Sequence, residues 1–216
     1  KDQNDQLLRA LESQHRAELA ERQAADERQQ KEKLAQSLVE LERLNAEIGE
    51  ISIRDSVTGL YSRRYLNESV SRLIAEATRY ATPFSVGLLD IDAFKSVNDT
   101  YGHQLGDAVI RTVADILSHE LRASDIAARY GGDELALVFP QITVHGAYVA
   151  CERIRLAIEN HAWHELQPGL RVTASFGLAG LVPGDSFDTL FSSADRALYA
   201  VKRSGRNGVR AGSALA

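Results

Sequence analysis

Two acidic segments hold the residues most able to do chemistry. Gly131-Gly132-Asp133-Glu134 puts two carboxylates directly after two glycines, between the apolar runs 126–130 and 135–139. That is the pattern of a hairpin with a tight glycine turn. Asp90-Ile91-Asp92 closes the apolar run that begins at Phe84, behind Pro83, so it lies at the carboxyl end of a buried strand, where the ligands of a sheet commonly gather. Alone, the first segment says little, because many hairpins carry Gly-Gly-Asp only to reach positive φ angles. Together the two form an oxygen-only donor set of the kind that suits Mg²⁺, which usually binds one or two carboxylates together with substrate phosphates. A pair of ions held by Asp90 and Asp133 would serve phosphoryl transfer, one activating a hydroxyl and the other stabilising the leaving phosphate.

These segments must be positioned by alternating strands and helices, which occupy the chain after Arg54. Leu66, Val70, Leu73, Ile74 and Ala77 mark one helix face. The run 84–91 is a short buried strand. Leu105, Ala108, Val109, Val113, Ile116 and Leu117 mark the next helix, and Ala147, Ala150, Cys151, Ile154, Ala157 and Ile158 a third. Cys151 is read as a small core residue on that face. Alternating Val172, Ala174, Phe176 and Leu178 predict a further strand, and Leu190, Phe191, Ala194, Ala197, Leu198 and Val201 a last helix. The expected fold class is α+β, an α/β-type mixed sheet covered by helices.

Residues 1–48 contain no Gly, Pro or aromatic residue and are built largely from Glu, Gln, Arg, Lys, Ala and Leu, which favours one long helix. Leu34, Leu38, Leu41, Asn45 and Ile48 alternate spacings of four and three, as the seam of a heptad does. The same frame passes through Ala24, Ala20, Ala17 and Ala10, with Lys31 and Glu27 interrupting it. Asn45 on the seam favours a defined register in a two-stranded parallel coil. The expected division is therefore 1–54, a coiled-coil dimerisation and signalling helix, and 55–216, a globular domain.

With 216 residues, 44% hydrophobic and 25% charged, the chain is long enough for a sizeable core, and its composition excludes collagen-like, disulfide-scaffold and disordered classes. A formal charge of -5 gives no general attraction to nucleic acid or to an anionic membrane. The single cysteine points to a reducing cytoplasm. No apolar run is of membrane-spanning length. The chain begins at Lys1 and contains no Met, so it is read as a fragment whose upstream sensory or membrane segments have been removed.

Five stretches in order resemble the successive motifs of the GGDEF diguanylate cyclases: Asp55-Ser-Val-Thr-Gly-Leu-Tyr-Ser-Arg-Arg64, Asp90-Ile-Asp-Ala-Phe-Lys-Ser-Val-Asn-Asp99, Gly102-His-Gln-Leu-Gly-Asp107, Arg129-Tyr-Gly-Gly-Asp-Glu-Leu135 and Ala194-Asp-Arg-Ala-Leu-Tyr-Ala-Val-Lys-Arg-Ser-Gly-Arg-Asn207. The resemblance covers about 55–207. It implies a fold similar to the palm of nucleotide cyclases and polymerases, and an activity that condenses two GTP into cyclic di-GMP with release of two pyrophosphates. It further implies two Mg²⁺ per site, or Mn²⁺ in their place, held by Asp90, the Ile91 carbonyl, Asp133 and Glu134, with Asp133 bridging the ions and helping to deprotonate the ribose 3′-hydroxyl. Asp92 is placed outside the site, turned into a structural hydrogen bond. Asn98 and Asp107 match the guanine readers, Phe94 and Lys95 the positions whose amides meet phosphates, and Lys202 and Arg206 the basic residues of the last helix. Ser62, Leu135 and Val201 depart from the commonest motif letters without removing a charge that the chemistry requires.

Arg122-Ala-Ser-Asp125 resembles the family's RxxD product-inhibition motif, with Arg153 as a further contributor. Arg can donate two hydrogen bonds to guanine O6 and N7, and Asp can accept from the opposite guanine edge. The plainer alternative is a surface ion pair between Arg122 and Asp125. The implied protein is a homodimeric enzyme joined through its coil and inhibited by its product. Its rival is a cyclic di-GMP receptor of the same fold without turnover.

Overall fold

The computed structural model describes residues 29–31, 33–38 and 53–212. The chain divides into two units between Ile51 and Ser52, each described by itself. In the first unit, residues 29–31 and 33–38 are helical, and the seam residues Leu34 and Leu38 are 63% and 55% exposed. Leu41, Asn45, Ile48 and the upstream alanines of the heptad frame lie outside the described residues.

In the second unit the elements are α1 (Arg63–Tyr80), β1 (Phe84–Ile91), α2 (Phe94–Tyr101), α3 (His103–Glu120), β2 (Ile126–Arg129), β3 (Glu134–Pro140), α4 (Val144–Glu159), a 3₁₀ turn (Trp163–Glu165), β4 (Ala174–Gly180), α5 (Phe187–Arg203) and β5 (Val209–Ala211). The sheet order is β2-β3-β1-β4-β5. All pairs are antiparallel except β4 with β5, which is parallel. The sheet is therefore mixed, as expected. Among the described residues, no helix is long and apolar enough to cross a membrane.

Helices cover both faces of the sheet, which explains why β1 is mostly apolar and buried at all eight positions, with only Ser85 and Asp90 polar. On one face Leu89, Ile91, Leu135, Leu137, Phe139, Phe176 and Leu178 pack with Val109, Val113 and Leu117 of α3 and Ala147, Cys151 and Ile154 of α4. On the other, Val86, Leu88, Ala136 and Val138 pack with Leu66, Val70 and Ile74 of α1 and Leu190, Phe191 and Leu198 of α5. Cys151 is wholly buried, and burial pushes its thiol pKa far up, so it is an inert part of the core. Short polar side chains start the helices. Ser62 accepts from the Tyr65 amide ahead of α1, Thr143 accepts from the Gly146 amide ahead of α4, and Ser186 forms a reciprocal box with Thr189 ahead of α5.

Gly177 of β4 sets how closely α5 lies on the sheet. A Cβ there would come 2.2 Å from both the Ala194 carbonyl oxygen and the Leu198 nitrogen, and helix backbone cannot rotate away as a side chain can. Gly177→Ala is expected to force α5 outward and cost about 3 kcal/mol, a fall in melting temperature of roughly 10 °C. A thermal melt within a degree or two of the parent would show that the helix sits less tightly. Helix α5 carries Lys202 in its last turn.

Candidate active site

The register of the sheet assembles the acidic centre. Asp90, at the end of β1, pairs across the ladder with Glu134, the first residue of β3, and the Ile91 amide donates to the Asp133 carbonyl oxygen at 3.4 Å. Asp90, Ile91, Asp133 and Glu134 thus meet where β1 and the β2–β3 turn end together. Asp90 is 9% exposed. Burial pushes its carboxyl pKa up, Lys202 opposes that shift, and the negative charges of Asp133 and Glu134 add to it. Lys202, near the end of α5, reaches the same point, its Nζ 2.7 Å from Asp90 Oδ2. Arg206 follows three residues beyond the helix with φ 65° and an exposed side chain.

Asp92 points elsewhere. Its carboxylate accepts from the Thr173 and Ser175 hydroxyls, both at 2.7 Å, and from the Asn207 amide at 3.0 Å. It is a structural anchor, as expected.

The glycines of the acidic turn are not there for left-handed backbone. Neither Gly131 nor Gly132 is among the residues with positive φ, which removes the plainer alternative of glycines kept only to reach such angles. A Cβ on Gly132 would meet nothing within 4 Å. What glycine provides at that position is bare backbone open to a ligand.

Two contacts hold the turn in place. Arg129 donates to the carbonyl oxygens of Gly131 and Gly132, the shortest bond being 2.9 Å, and reaches back 74 residues to Asp55 at 3.2 Å. Asp55 also accepts from the Val57 and Thr58 amides and the Thr58 hydroxyl. Burial alone would raise the Asp55 pKa, but the Thr58 bonds and the Arg129 charge outweigh it and hold the carboxyl below its ordinary value. On the other side, Tyr130 stacks on Phe191 at 5.8 Å and lies beneath the Arg63 guanidinium.

Asn98 lies within α2, which removes the alternative of an ordinary cap or turn. Phe94 and Lys95 open that helix directly after Ala93, whose φ is 55°, and first-turn amides have no acceptor within their own helix. The half-buried Asn98 side chain rests on Gly106 of α3, where a Cβ would fall 1.9 Å from Asn98 Oδ1 and 3.2 Å from Phe94 Cζ. Asp107 follows directly and is exposed. Gly106 is therefore the seat of Asn98. Alanine favours a helix by about 1 kcal/mol over glycine, so Gly106→Ala should leave stability near the parent's. By displacing Asn98 it should weaken GTP binding about tenfold, the worth of one good hydrogen bond. Titration calorimetry with a non-reacting GTP analogue checks this, and unchanged affinity would remove Asn98 from the base site.

Arg122 and Asp125 sit at the α3–β2 junction, at the opposite end of β2 from the acidic turn and roughly 20 Å away along the strand. The Asp125 carboxylate accepts from the Arg122 backbone amide at 3.0 Å, so the contact between them is a turn and not the surface ion pair of the plainer reading. Arg153 on α4 is drawn to the same corner, where its Nε and Nη2 donate to the Glu120 carboxylate and carbonyl at 2.5 and 2.6 Å.

The donor set fits the metal that the motif order implies. Asp133 and Glu134 are close enough to Asp90 to raise its proton affinity, and all the donors are oxygens, which suits Mg²⁺. Among the described residues, no three His, Cys, Asp or Glu side chains are arranged to hold an ion alone.

Residues 52–208 match the family model of the diguanylate cyclase GGDEF domain. The chain belongs to this family. It is 37% identical over 163 residues to the response regulator PleD of Caulobacter vibrioides, covering 74% of this chain and 36% of PleD. Against the diguanylate cyclase DgcS of Shewanella oneidensis it is 38% identical over 154 residues, covering 71% of this chain and 50% of DgcS. The chain thus spans about a third to a half of these relatives. The coiled coil and GGDEF domain of DgcB from Caulobacter crescentus, solved in complex with c-di-GMP, matches with a TM-score of 0.71 and 36% identity, covering 83% of this chain and 97% of that one. The mixed sheet with its covering helices is the GGDEF fold. Sequence reasoning had quoted Arg129, Gly106 and Asn207 within motifs without roles. The contacts of Arg129 with Asp55 and of Asn207 with Arg155 and Glu159 are long-range, and only the folded chain brings them together; Gly106 meets Asn98 of the helix just before it.

Proposed function

We propose that the domain is a diguanylate cyclase, condensing two GTP into cyclic di-GMP with release of two pyrophosphates. The observation that carries this reading is the meeting of Asp90, Asp133 and Glu134 with Lys202 at one end of the sheet, where β1 runs on into α2. Guanine has a ring N–H and an exocyclic amine side by side, a donor pair that the Asp107 carboxylate can accept and that adenine lacks. The first amides of α2, at Phe94 and Lys95, face the triphosphate from the helix end that favours anions, and Lys202 and Arg206 supply positive charge from the other side. Asp90, the Ile91 carbonyl, Asp133 and Glu134 hold Mg²⁺, or Mn²⁺, which when bound lowers the pKa of the attacking hydroxyl and offsets charge on the phosphates. Asp133 accepts the 3′-hydroxyl proton.

One domain holds one GTP, so the 3′-hydroxyl of each nucleotide attacks the α-phosphate of the other only when two domains face each other, an arrangement that two-fold symmetry permits. The heptad frame ending at Ile48 is the means of holding two chains together, and residues upstream of it would receive the signal. A domain fed by GTP works in the cytoplasm. Incubation with GTP and Mg²⁺ followed by chromatography tests the reading: cyclic di-GMP supports it, whereas bound cyclic di-GMP without any formed from GTP supports the receptor alternative.

Arg122, Asp125 and Arg153 form the site for product inhibition, in which bound cyclic di-GMP holds the domains in a non-productive arrangement. Arg122→Ala is expected to keep the initial rate and to continue making product at concentrations that stop the parent. Superimposable inhibition curves would refute the site.

A further inference from the structure

Beyond the acidic centre, one polar cluster is left unused by this chemistry. Asn207 bonds in three directions. Its amide nitrogen donates to Asp92 Oδ2 at 3.0 Å, its side-chain oxygen accepts from Arg155 Nη1 at 2.9 Å, and its Nδ2 donates to Glu159 Oε1 at 2.8 Å. Arg155 is itself held by Glu152 at 2.9 Å and Glu159 at 2.8 Å, with only 13% of its side chain exposed. Asp92 is tied down by Thr173 and Ser175. The cluster thus joins the end of β1, the last turns of α4 and the segment between α5 and β5.

That segment is unusual. Gly205, Arg206 and Asn207 have φ of 116°, 65° and 45°, three consecutive residues in the left-handed half of conformational space. Asparagine visits this region readily, but arginine does so only where its surroundings over-determine it. The Arg206 amide donates to the Val201 carbonyl oxygen at 3.1 Å, and the Gly208 carbonyl accepts from the Phe176 amide at 2.8 Å, so backbone bonds close the loop on either side. Between them the Asn207 side chain supplies the tie to α4.

From this geometry we infer that Asn207 and Arg155 are positioning residues for the triphosphate: they clamp the α5–β5 loop in its left-handed course so that Arg206 is aimed at the phosphates. The inference rests on the proposed role of Arg206 in binding GTP. It assigns the clamp to the phosphate end of the nucleotide and not to the guanine, which is read from α2 and α3. The Glu159 carboxyl, held below its ordinary pKa by the Asn207 amide and Arg155, keeps its charge and so keeps the tie at neutral pH.

The test is a double-mutant cycle read by calorimetry, with a non-reacting GTP analogue and with GMP, both with Mg²⁺. Asn207→Gly leaves the left-handed backbone unstrained and removes only the side-chain ties. It should weaken the triphosphate about tenfold while leaving GMP within about twofold, and Arg155→Ala, made on α4 and away from the loop, should do the same. In an Arg206→Ala background, Asn207→Gly should have little further effect, because the residue through which it acts is gone. Arg155→Lys, which keeps the charge and loses the rigid fork, should recover part of the affinity. Equal losses for both ligands, or additive losses in the double variant, would reduce Asn207 to a general structural residue and overturn the inference. If Arg206→Ala alone left triphosphate affinity unchanged, the assignment of Arg206 would fall first and the clamp with it. A melting curve for each variant separates unfolding from loss of binding.

Discussion

Asp133→Asn should cut the rate of cyclic di-GMP formation by about a thousandfold or more, with a melting curve close to the parent's. The substitution keeps the size of the side chain and removes its charge. The backbone contact at this position, from the Ile91 amide to the Asp133 carbonyl oxygen at 3.4 Å, does not involve the side chain. Nothing in the fold therefore depends on the carboxylate, whereas both of its proposed functions do. An amide is a poor ligand for Mg²⁺ and cannot take the 3′-hydroxyl proton. The loss of one of the charges that raise the Asp90 pKa should, if anything, ease folding. Initial rates with GTP and Mg²⁺ check the prediction, and a variant retaining more than about a tenth of parental activity would contradict the metal role of Asp133.

The second large effect is expected at a residue that touches no substrate. Arg129→Ala should lower turnover about a hundredfold, the scale on which small misplacements of a reacting group act, because Arg129 links the carbonyls of the acidic turn to Asp55. It should also cost about 2 kcal/mol, the worth of hydrogen bonds to a charged group that is only partly exposed. The acid limb of the stability curve supplies an independent check. The folded pKa of Asp55 lies below the ordinary 3.8, so its contribution is complete above about pH 5 and is lost as pH falls through that lowered value. Without Arg129 this limb should be shallower, though the Thr58 bonds preserve part of it. Arg129→Lys should rescue charge but not the forked contact with Gly132, and should recover only part of the rate. Full activity in the alanine variant would show that the turn holds its shape unaided.

The residues that sequence reasoning read well are those whose role is local or is written in an apolar period. The strand ending in Asp90 is legible because both faces of β1 are covered, which leaves a mostly apolar run. Asp92 is set aside in the sequence only as the second acid of its motif; that its partners are the Thr173 and Ser175 hydroxyls is visible only in the fold. Helix α2 was not anticipated. It has eight residues, of which only Phe94 and Val97 are buried, too few to show a period. Strand β5 escaped for a similar reason. It has three residues and pairs in parallel with β4, and its pairing partner is set by the course of the loop before it. The turn at Gly131 and Gly132 is legible as a hairpin, but the surroundings of each glycine are not: a Cβ on Gly132 would meet nothing within 4 Å, whereas one on Gly131 would come 3.1 Å from Glu134 Oε2. The ties of Asp55 to Arg129 and of Asn207 to Arg155 and Glu159 join segments distant in sequence, and a single sequence carries no sign of such pairs.

In the proposed reaction the acidic centres of two facing chains join two GTP through two phosphodiester bonds. The most direct measurement is the ratio of pyrophosphate released to cyclic dinucleotide formed when the parent chain is given GTP and Mg²⁺, with ATP as control. The expected result is two pyrophosphates per cyclic di-GMP, no product without a divalent ion, and none from ATP. Pyrophosphate release without cyclic dinucleotide, or tight binding of cyclic di-GMP with no turnover of GTP, would contradict it.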